Sequence, residues 1–209
     1  MGLKSWYEAK IMPRLITCAC SQGQVMKRRA AVLPRAAGDV FELGCGGGIN
    51  HQFYDSRAIT SYAGIDPHEG LLEGARAAAR EKGWADIRQG RGEAIPFADA
   101  CFDCVVCTFT LCSVDDPAQV MREMRRILRP GGAVLFLEHG RAPDAGVRAW
   151  QGRIEPVWKR LAGGCHLTRP IADALAGAGF AVEPLGQGYT PKAPRFAGWM
   201  EWGAARKVE

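Results

Sequence analysis

A glycine-rich turn and a later acidic residue are the first groups in this chain that could do chemistry together. The turn reads Phe41-Glu42-Leu43-Gly44-Cys45-Gly46-Gly47-Gly48, and Asp66 follows 22 positions after Gly44. Glycines let a ligand lie against bare backbone where a strand turns into a helix. A carboxylate at this spacing can accept both hydroxyls of a ribose. The pair therefore predicts binding of an adenosine-containing ligand.

The residues around the turn narrow the choice of adenosine compound. A dinucleotide fingerprint aligned on Gly44 and Gly46 needs Gly or Ala at position 49, where Ile49 stands, and no GxxxxGK[ST] phosphate loop occurs. Glu42 precedes the glycines, where a carboxylate repels phosphates but suits a ligand with an ammonium and a sulfonium. S-adenosylmethionine (SAM) carries both charges, with S-adenosylhomocysteine as its product.

Alternating strands and helices should position this turn. Short β-rich apolar segments alternate with amphipathic ones, which predicts an α/β fold of Rossmann-like type. We expect a mostly parallel seven-stranded sheet with helices on both faces. No long helix separates the last two strands, so an antiparallel hairpin at the sheet edge is expected. The predicted strands cover 39–43, 59–65, 85–89, 102–108, 133–138, 180–185 and about 196–206, and the predicted helices include 5–20, 24–33, 71–82, 117–128, 147–161 and 170–176.

Composition indicates one globular domain with additions. The chain has 209 residues, 47% hydrophobic and 23% charged, and a net charge of +5. We divide it into a basic helical arm or lid, 1–36, and a catalytic domain, 37–209, in which 147–177 form a helical insertion at the acceptor site. No signal peptide or membrane anchor is recognisable, and the eight cysteines then favour a reducing, cytoplasmic setting.

The arm concentrates the positive charge, with seven Lys and Arg against one Glu. Such a segment could rest on an anionic membrane surface or meet an acidic substrate, and it could equally be a solvated helix face. Peripheral membrane contact is therefore one expectation, and no nucleic-acid binding is predicted.

Six motifs in order carry a family resemblance. FELGCGGG, IDP, GEAIPF, FDCVVCTFTLCSV, RRILRPGG and LEH, spread over residues 39–139, resemble the motif set of class I SAM-dependent methyltransferases. LCSV, LRPGG, EH, EPVWKRLAGGCHLTR and a terminal aromatic strand are similar to the methyltransferase-like thiol S-methyltransferases. Two departures are Arg91, where related enzymes often have Asp or Asn, and the lack of an N-terminal hydrophobic anchor.

The resemblance implies a role for each matching cofactor residue. The methionine end of SAM would be held near the turn and the fourth strand, and the adenosine end near the second and third strands. The implied cofactor residues are Glu42, Gly44, Cys45, Gly46 and Thr108 for the methionine end, Asp66 for the ribose, and Pro67, His68, Gly92 and Glu93 for the adenine.

Methyl transfer needs a nucleophile, the methyl carbon and the leaving sulfur held near collinear, with water excluded. His139, at the carboxyl end of the fifth strand, could serve as a base or hydrogen-bond partner of a thiol, or be a structural strand-end residue. His166 and Arg169 could close the acceptor pocket or belong to a helix-capping turn. Small or lipophilic thiols are the expected acceptors. The alternatives are a quinone-type ring carbon, a lipid or small-molecule amine, and a protein that binds SAM without turnover.

Cysteines and tryptophans complete the candidates. Cys101, Cys104 and Cys107 alternate between the faces of one predicted strand, so their thiolates could not converge, and no metal site is predicted. Cys112 is the thiol expected to approach the acceptor pocket. Trp150 and Trp158 are expected in the core or in an apolar wall of that pocket.

Overall fold

A seven-stranded sheet organises the protein. The structure, a computed structural model, describes residues 20–84 and 86–208. The strands follow the order β3-β2-β1-β4-β5-β7-β6, and all are parallel except β7, which is antiparallel to both neighbours. Their bounds are β1 Gly38–Leu43, β2 Ile59–Asp66, β3 Asp86–Gln89, β4 Phe102–Thr108, β5 Leu128–His139, β6 Phe180–Tyr189 and β7 Trp199–Lys207.

The described helices cover both faces of this sheet. One buried cluster packs Val120, Met124 and Ile127 against the sheet, and the opposite cluster does the same with Leu72 and Ala75. The helices are α1 Gly23–Val32, α2 Glu69–Glu81, α3 Pro117–Ile127, α4 Ala145–Leu161, α5 Ile171–Gly177 and α6 Arg195–Gly198, with 3-10 turns at Leu33–Arg35 and Ile49–Phe53. The predicted α/β fold is confirmed.

The strand order reverses direction around β1 and β4, and this creates the site. Leu43 at the end of β1 pairs with Ile65 of β2 on one side and Cys107 of β4 on the other. The β1-to-β2 and β3-to-β4 crossovers lead to opposite sides of β1, and sheets with such a reversal bind ligands in a crevice at the carboxyl ends of these strands. The glycine turn, Asp66, Thr108 and His139 all end strands at this edge.

Several elements differ from the predicted boundaries: β6 extends to Tyr189 rather than 185, and residues 196–198 lie in α6, so that β7 begins at Trp199. β5 begins at Leu128 rather than 133, because Leu128 already pairs with Phe102; the next pair joins Cys104 to Ala133, and residues 129–132 form an irregularity between them. Gly131 adopts φ +74°, which lets the chain bulge there. The terminal hairpin is present at the edge, but the antiparallel strand β7 lies between β5 and the edge strand β6.

The described part of the basic arm packs on the domain. Helix α1 buries Val25, Arg29 and Val32, which share one helical face, and Arg28 donates to Thr190 Oγ1 at 2.7 Å. The predicted helix at 24–33 is confirmed. The predicted helix at 5–20 falls almost wholly outside the described residues, and membrane contact by the arm stays a prediction. Within the described residues, no helix combines the length and apolar character needed to cross a bilayer.

The two tryptophans of α4, both expected to pack in the core or in an apolar wall, differ: the expectation holds for Trp158 and is wrong for Trp150. Trp158 packs edge-on against Phe196 with ring centroids 5.9 Å apart, whereas Trp150 is 57% exposed. Eight residues along an α-helix rotate the side chain by about 80°, so the two rings do not share a face. Val157 and Leu161 of α4 are also exposed.

Asp116→Ala tests the start of α3, the helix that follows the site loop. Asp116 Oδ1 accepts the amide of Gln119 at 2.9 Å, and Pro117 occupies the first turn. Loss of this cap should lower the free energy of unfolding by about 1 kcal/mol in urea titrations. Asp115→Ala removes an exposed neighbour that pairs with Arg91 and should cost less than about 0.5 kcal/mol. Equal losses would show that the cap does not fix the helix start.

Candidate active site

The glycine turn is fixed by the strand beside it. The amides of Gly44 and Cys45 both donate to the carbonyl of Ile65, at 2.9 and 3.0 Å. Gly44 has φ +72°, and a Cβ there would overlap Thr110 Oγ1. A Cβ on Gly46 or Gly47 would meet no atom within 4 Å. The first glycine is therefore needed for packing, while the backbone of the next two borders open space, and its contact with a ligand stays a prediction.

Asp66 connects the turn to the end of β2. Its Oδ2 accepts the amide of Gly46 at 3.0 Å and its Oδ1 accepts the amide of His68 at 2.8 Å. The carboxyl is only 6% exposed, and burial raises its pKa against the two amide hydrogen bonds, which lower it. Pro67 and His68 are exposed beside it. The acid and the turn that the sequence linked by spacing are thus in direct contact.

Glu42 lies beneath the turn and faces the protein interior. Its Oε1 accepts Asn50 Nδ2 at 2.8 Å, and its Oε2 accepts the hydroxyls of Tyr54 and Tyr62, each at 2.6 Å. Desolvation raises the pKa of this fully buried carboxyl, and the three hydrogen bonds oppose the rise. These partners make Glu42 a positioning residue for Asn50; direct contact with a ligand stays a prediction.

Arg29 reaches from α1 to the ends of β1 and β4. Its Nη1 donates to Thr108 Oγ1 at 2.9 Å and to Asn50 Oδ1, and Asn50 Nδ2 lies 3.0 Å from the same hydroxyl. The side chain is 2% exposed, and its Nε has no hydrogen-bond partner among the described residues. Desolvation lowers the pKa of this guanidinium. A buried guanidinium is suited to pairing with an anionic group of a ligand.

Arg29 and Asn50 were not predicted as site residues. The usable signal was helical spacing, because Arg29 falls between Val25 and Val32 on the apolar face of α1. An arginine on a buried helix face needs partners, and the sequence alone does not say which strands that face meets.

Glu138 holds the loop that follows β4. Its carboxylate accepts the amides of Thr110, Leu111 and Cys112 at 2.9, 3.0 and 3.1 Å. The side chain is fully buried; desolvation raises its pKa, and the three amides lower it. Phe109, just before this loop, has φ +56°, a strained value for a non-glycine residue. Glu138 was also missed, although an acid inside a continuous apolar strand is itself a signal.

His139 lies in a cluster with two thiols. Cys165 Sγ is 3.6 Å from Cys112 Sγ and 3.7 Å from His139 Nδ1. The ligand atoms of Cys112 and His139 lie within 4.8 Å of each other. The expected approach of Cys112 to an acceptor pocket stays a prediction, and Cys165 was not predicted. The ring of Phe109 lies 5.0 Å from His139 and 5.2 Å from the Arg29 guanidinium. The ring of Phe109 therefore lies between the Arg29 guanidinium and this cluster.

His166 and Arg169 close the same region by holding its loops. Arg169 donates to the carbonyls of Leu111 and Val114 at 2.6 and 2.8 Å. His166 Nδ1 lies 2.9 Å from Glu155 Oε1, and its amide donates to the carbonyl of Cys112 at 2.7 Å. These contacts make both residues positioning groups, and contact with an acceptor stays a prediction.

The predicted adenine-side residues also carry structural contacts. Glu93 Oε1 accepts the amide of Asp115 at 3.0 Å, and Arg91 pairs with Asp115. Gly92 is buried, and a Cβ there would press on Leu43 and Val120 at 3.1 Å. Cys45 fills the turn at 2% exposure, and burial raises the pKa of its thiol far above the ordinary value.

Alanine substitutions at Gly44 and Gly47 distinguish a glycine that the packing requires from one that borders open space. Gly44→Ala should lower the free energy of unfolding by about 1–3 kcal/mol, because the residue has a left-handed φ and Thr110 occupies the space of its Cβ. Gly47→Ala adds a methyl in open space and should stay within about 0.5 kcal/mol of wild type. Urea unfolding measures both, and equal stability of the two variants would contradict the described turn.

Known proteins resemble this chain in sequence and in fold. The Methyltransferase domain family matches residues 41–136. "Thiol S-methyltransferase TMT1A" of Homo sapiens is 34% identical over 194 residues, covering 87% of this chain and 80% of that protein. "Thiol S-methyltransferase TMT1B" of Homo sapiens is 40% identical over 154 residues, covering 71% of this chain but only 63% of the relative.

The crystal structure of the YcgJ protein of Bacillus subtilis superposes with a TM-score of 0.71 at 17% identity, covering 89% of this chain and 98% of that one. This likeness shows the Rossmann-like fold alone. Taken with the TMT1A match and the geometry of the turn, it leads to one conclusion: the chain belongs to the class I SAM-dependent methyltransferase family that includes the TMT1 thiol S-methyltransferases.

Proposed function

We propose that this protein transfers the methyl group of SAM to a small or lipophilic thiol. The observation that carries the proposal is the pairing of an open glycine turn, held by Asp66, with the buried guanidinium of Arg29 at the ends of β1 and β4. The two features lie at the crevice where β1 and β4 end, which is where sheets of this type bind ligands.

The adenosine end of SAM fits the Asp66 side of the crevice. Asp66 uses each carboxylate oxygen once, with Gly46 and His68, so each oxygen retains a lone pair for a ribose hydroxyl. Gly46 and Gly47 leave room for the ligand against their backbone.

The methionine end fits the Arg29 side. The Arg29 guanidinium can donate to the methionine carboxylate, while Thr108 and Asn50 hold its Nη1 in place. Glu42, behind Asn50, balances the buried positive charge. When bound, SAM supplies a methyl group already activated by its sulfonium, so the chain's task is to orient the reactants and exclude water.

The acceptor is assigned to the His139 side. Phe109 separates Arg29 from His139, and Arg169 and His166 hold the surrounding loops together. The identity to two relatives named thiol S-methyltransferases supports a thiol rather than an amine or a ring carbon.

Product analysis tests the acceptor class. The purified protein is incubated with SAM and with thiols, amines or quinols, and S-adenosylhomocysteine and methylated products are measured by mass spectrometry. We expect turnover with thiols and a methyl thioether as product. Turnover confined to amines or quinols would contradict the thiol assignment, and tight SAM binding without turnover on any acceptor would contradict the enzymatic proposal.

Arg29→Gln tests the methionine end. A lost charge-assisted hydrogen bond is worth about 1.5–3 kcal/mol, so SAM affinity measured by calorimetry should fall about 10- to 100-fold. Binding of 5′-methylthioadenosine, which lacks the amino-acid end, should be unchanged. Lys27→Gln removes an equal charge from the exposed face of the same helix and should leave both affinities intact. Equal loss for both ligands would mean that Arg29 supports the fold and not the carboxylate.

A further inference from the structure

Cys112, His139 and Cys165 have the donor types and spacing of a metal site. Their ligand atoms all lie within 4.8 Å of one another. With Zn–S near 2.3 Å and Zn–N near 2.05 Å, a tetrahedral site places neighbouring ligand atoms about 3.5 to 3.8 Å apart. The Cys165–Cys112 and Cys165–His139 separations, 3.6 and 3.7 Å, match these edges.

The three donors come from separate segments that the fold holds together. Glu138 fixes the backbone of Cys112 through its amide, and the amide of His166 ties the Cys165 loop to the carbonyl of Cys112. His139 ends β5, where it pairs with Met200 of β7. The donors are thus positioned by buried hydrogen bonds and the sheet, as a preorganised site requires.

The three donor side chains favour a thiophilic metal ion that keeps one coordination position open. Two thiolates and one imidazole suit zinc, and three protein ligands leave a fourth place for a substrate. Both thiols are buried, whereas His139 is only partly buried, so a fourth ligand can approach from the histidine side.

We propose that Cys112, His139 and Cys165 bind one Zn²⁺ ion whose fourth ligand is the sulfur of the acceptor thiol. The inference rests on the proposed thiol methylation and deepens it. It also changes the expected role of His139, which holds the ion instead of accepting a proton.

The reaction balances without a redox step. The acceptor thiol releases its proton to water as its sulfur binds the ion. A sulfur lone pair then forms the bond to the methyl carbon, while the bond from that carbon to the SAM sulfur breaks and its electrons stay on the departing S-adenosylhomocysteine. The neutral thioether is a weaker ligand than the thiolate and leaves, and the zinc charge is unchanged throughout.

Cobalt provides a readout that is independent of activity. Reduced, metal-stripped protein titrated with Co²⁺ should show a sulfur-to-cobalt charge-transfer band and tetrahedral d–d bands that saturate at one equivalent and are abolished by added Zn²⁺. The band should be lost or at least halved in Cys112→Ser and Cys165→Ser. Cys101→Ser, a thiol outside the cluster, should keep it in full.

The effect of metal loading on activity and the binding of the acceptor thiol are then tested on the same samples. Adding an acceptor thiol should shift the cobalt spectrum, and stripping the metal should lower thiol methylation at least tenfold, with recovery on adding Zn²⁺. Circular dichroism checks that each variant folds, and His139→Gln serves as a third ligand variant if a cysteine variant does not fold.

The outcomes separate this inference from the proposed function. Thiol methylation in a protein that takes up no cobalt, or equal bands in wild type and all ligand variants, would overturn the metal site and leave the function standing. One equivalent of cobalt with no thiol turnover and no spectral response to thiols would overturn the proposed function and the substrate role of the site together.

Discussion

The hydrogen bond from the Gly46 amide to the Asp66 carboxylate is the interaction on which the site depends. It joins the turn after β1 to the end of β2, two strands that the parallel sheet already brings side by side. Without it, the open backbone at Gly46 and Gly47 would have no fixed relation to Asp66, the acid proposed to hold a ribose. The other carboxylate oxygen of Asp66 accepts the amide of His68, so one side chain fixes both the turn after β1 and the segment after β2.

Two buried acids play a parallel role further along the same edge. Glu42 accepts hydrogen bonds from three side chains below the turn, and Glu138 accepts them from three backbone amides of the loop after β4. An isolated buried carboxylate is costly, so these donors stabilise the charge and in return are held in place. The segments that follow β1 and β4 are thereby fixed from inside the protein.

The sequence predicted the parts of the site that are local. The glycine turn, Asp66, Thr108 and His139 end strands whose patterns were clear, and parallel strands bring such ends to one edge. It did not predict Arg29, Asn50 or Cys165, because periodicity identifies which face of a segment is buried but not which distant loop it meets. The exposure of Trp150 has a simpler cause, since it lies about 80° around helix α4 from the packed Trp158.

Calorimetric titration with SAM of wild-type protein and of Asp66→Asn, both stripped of ligand, tests the central claim most directly. Asparagine keeps the size of the side chain but loses the charge and one acceptor, so the account predicts one site per chain in the wild type and an affinity about 10- to 100-fold lower in the variant. Equal affinities, or no heat with the wild type, would contradict it.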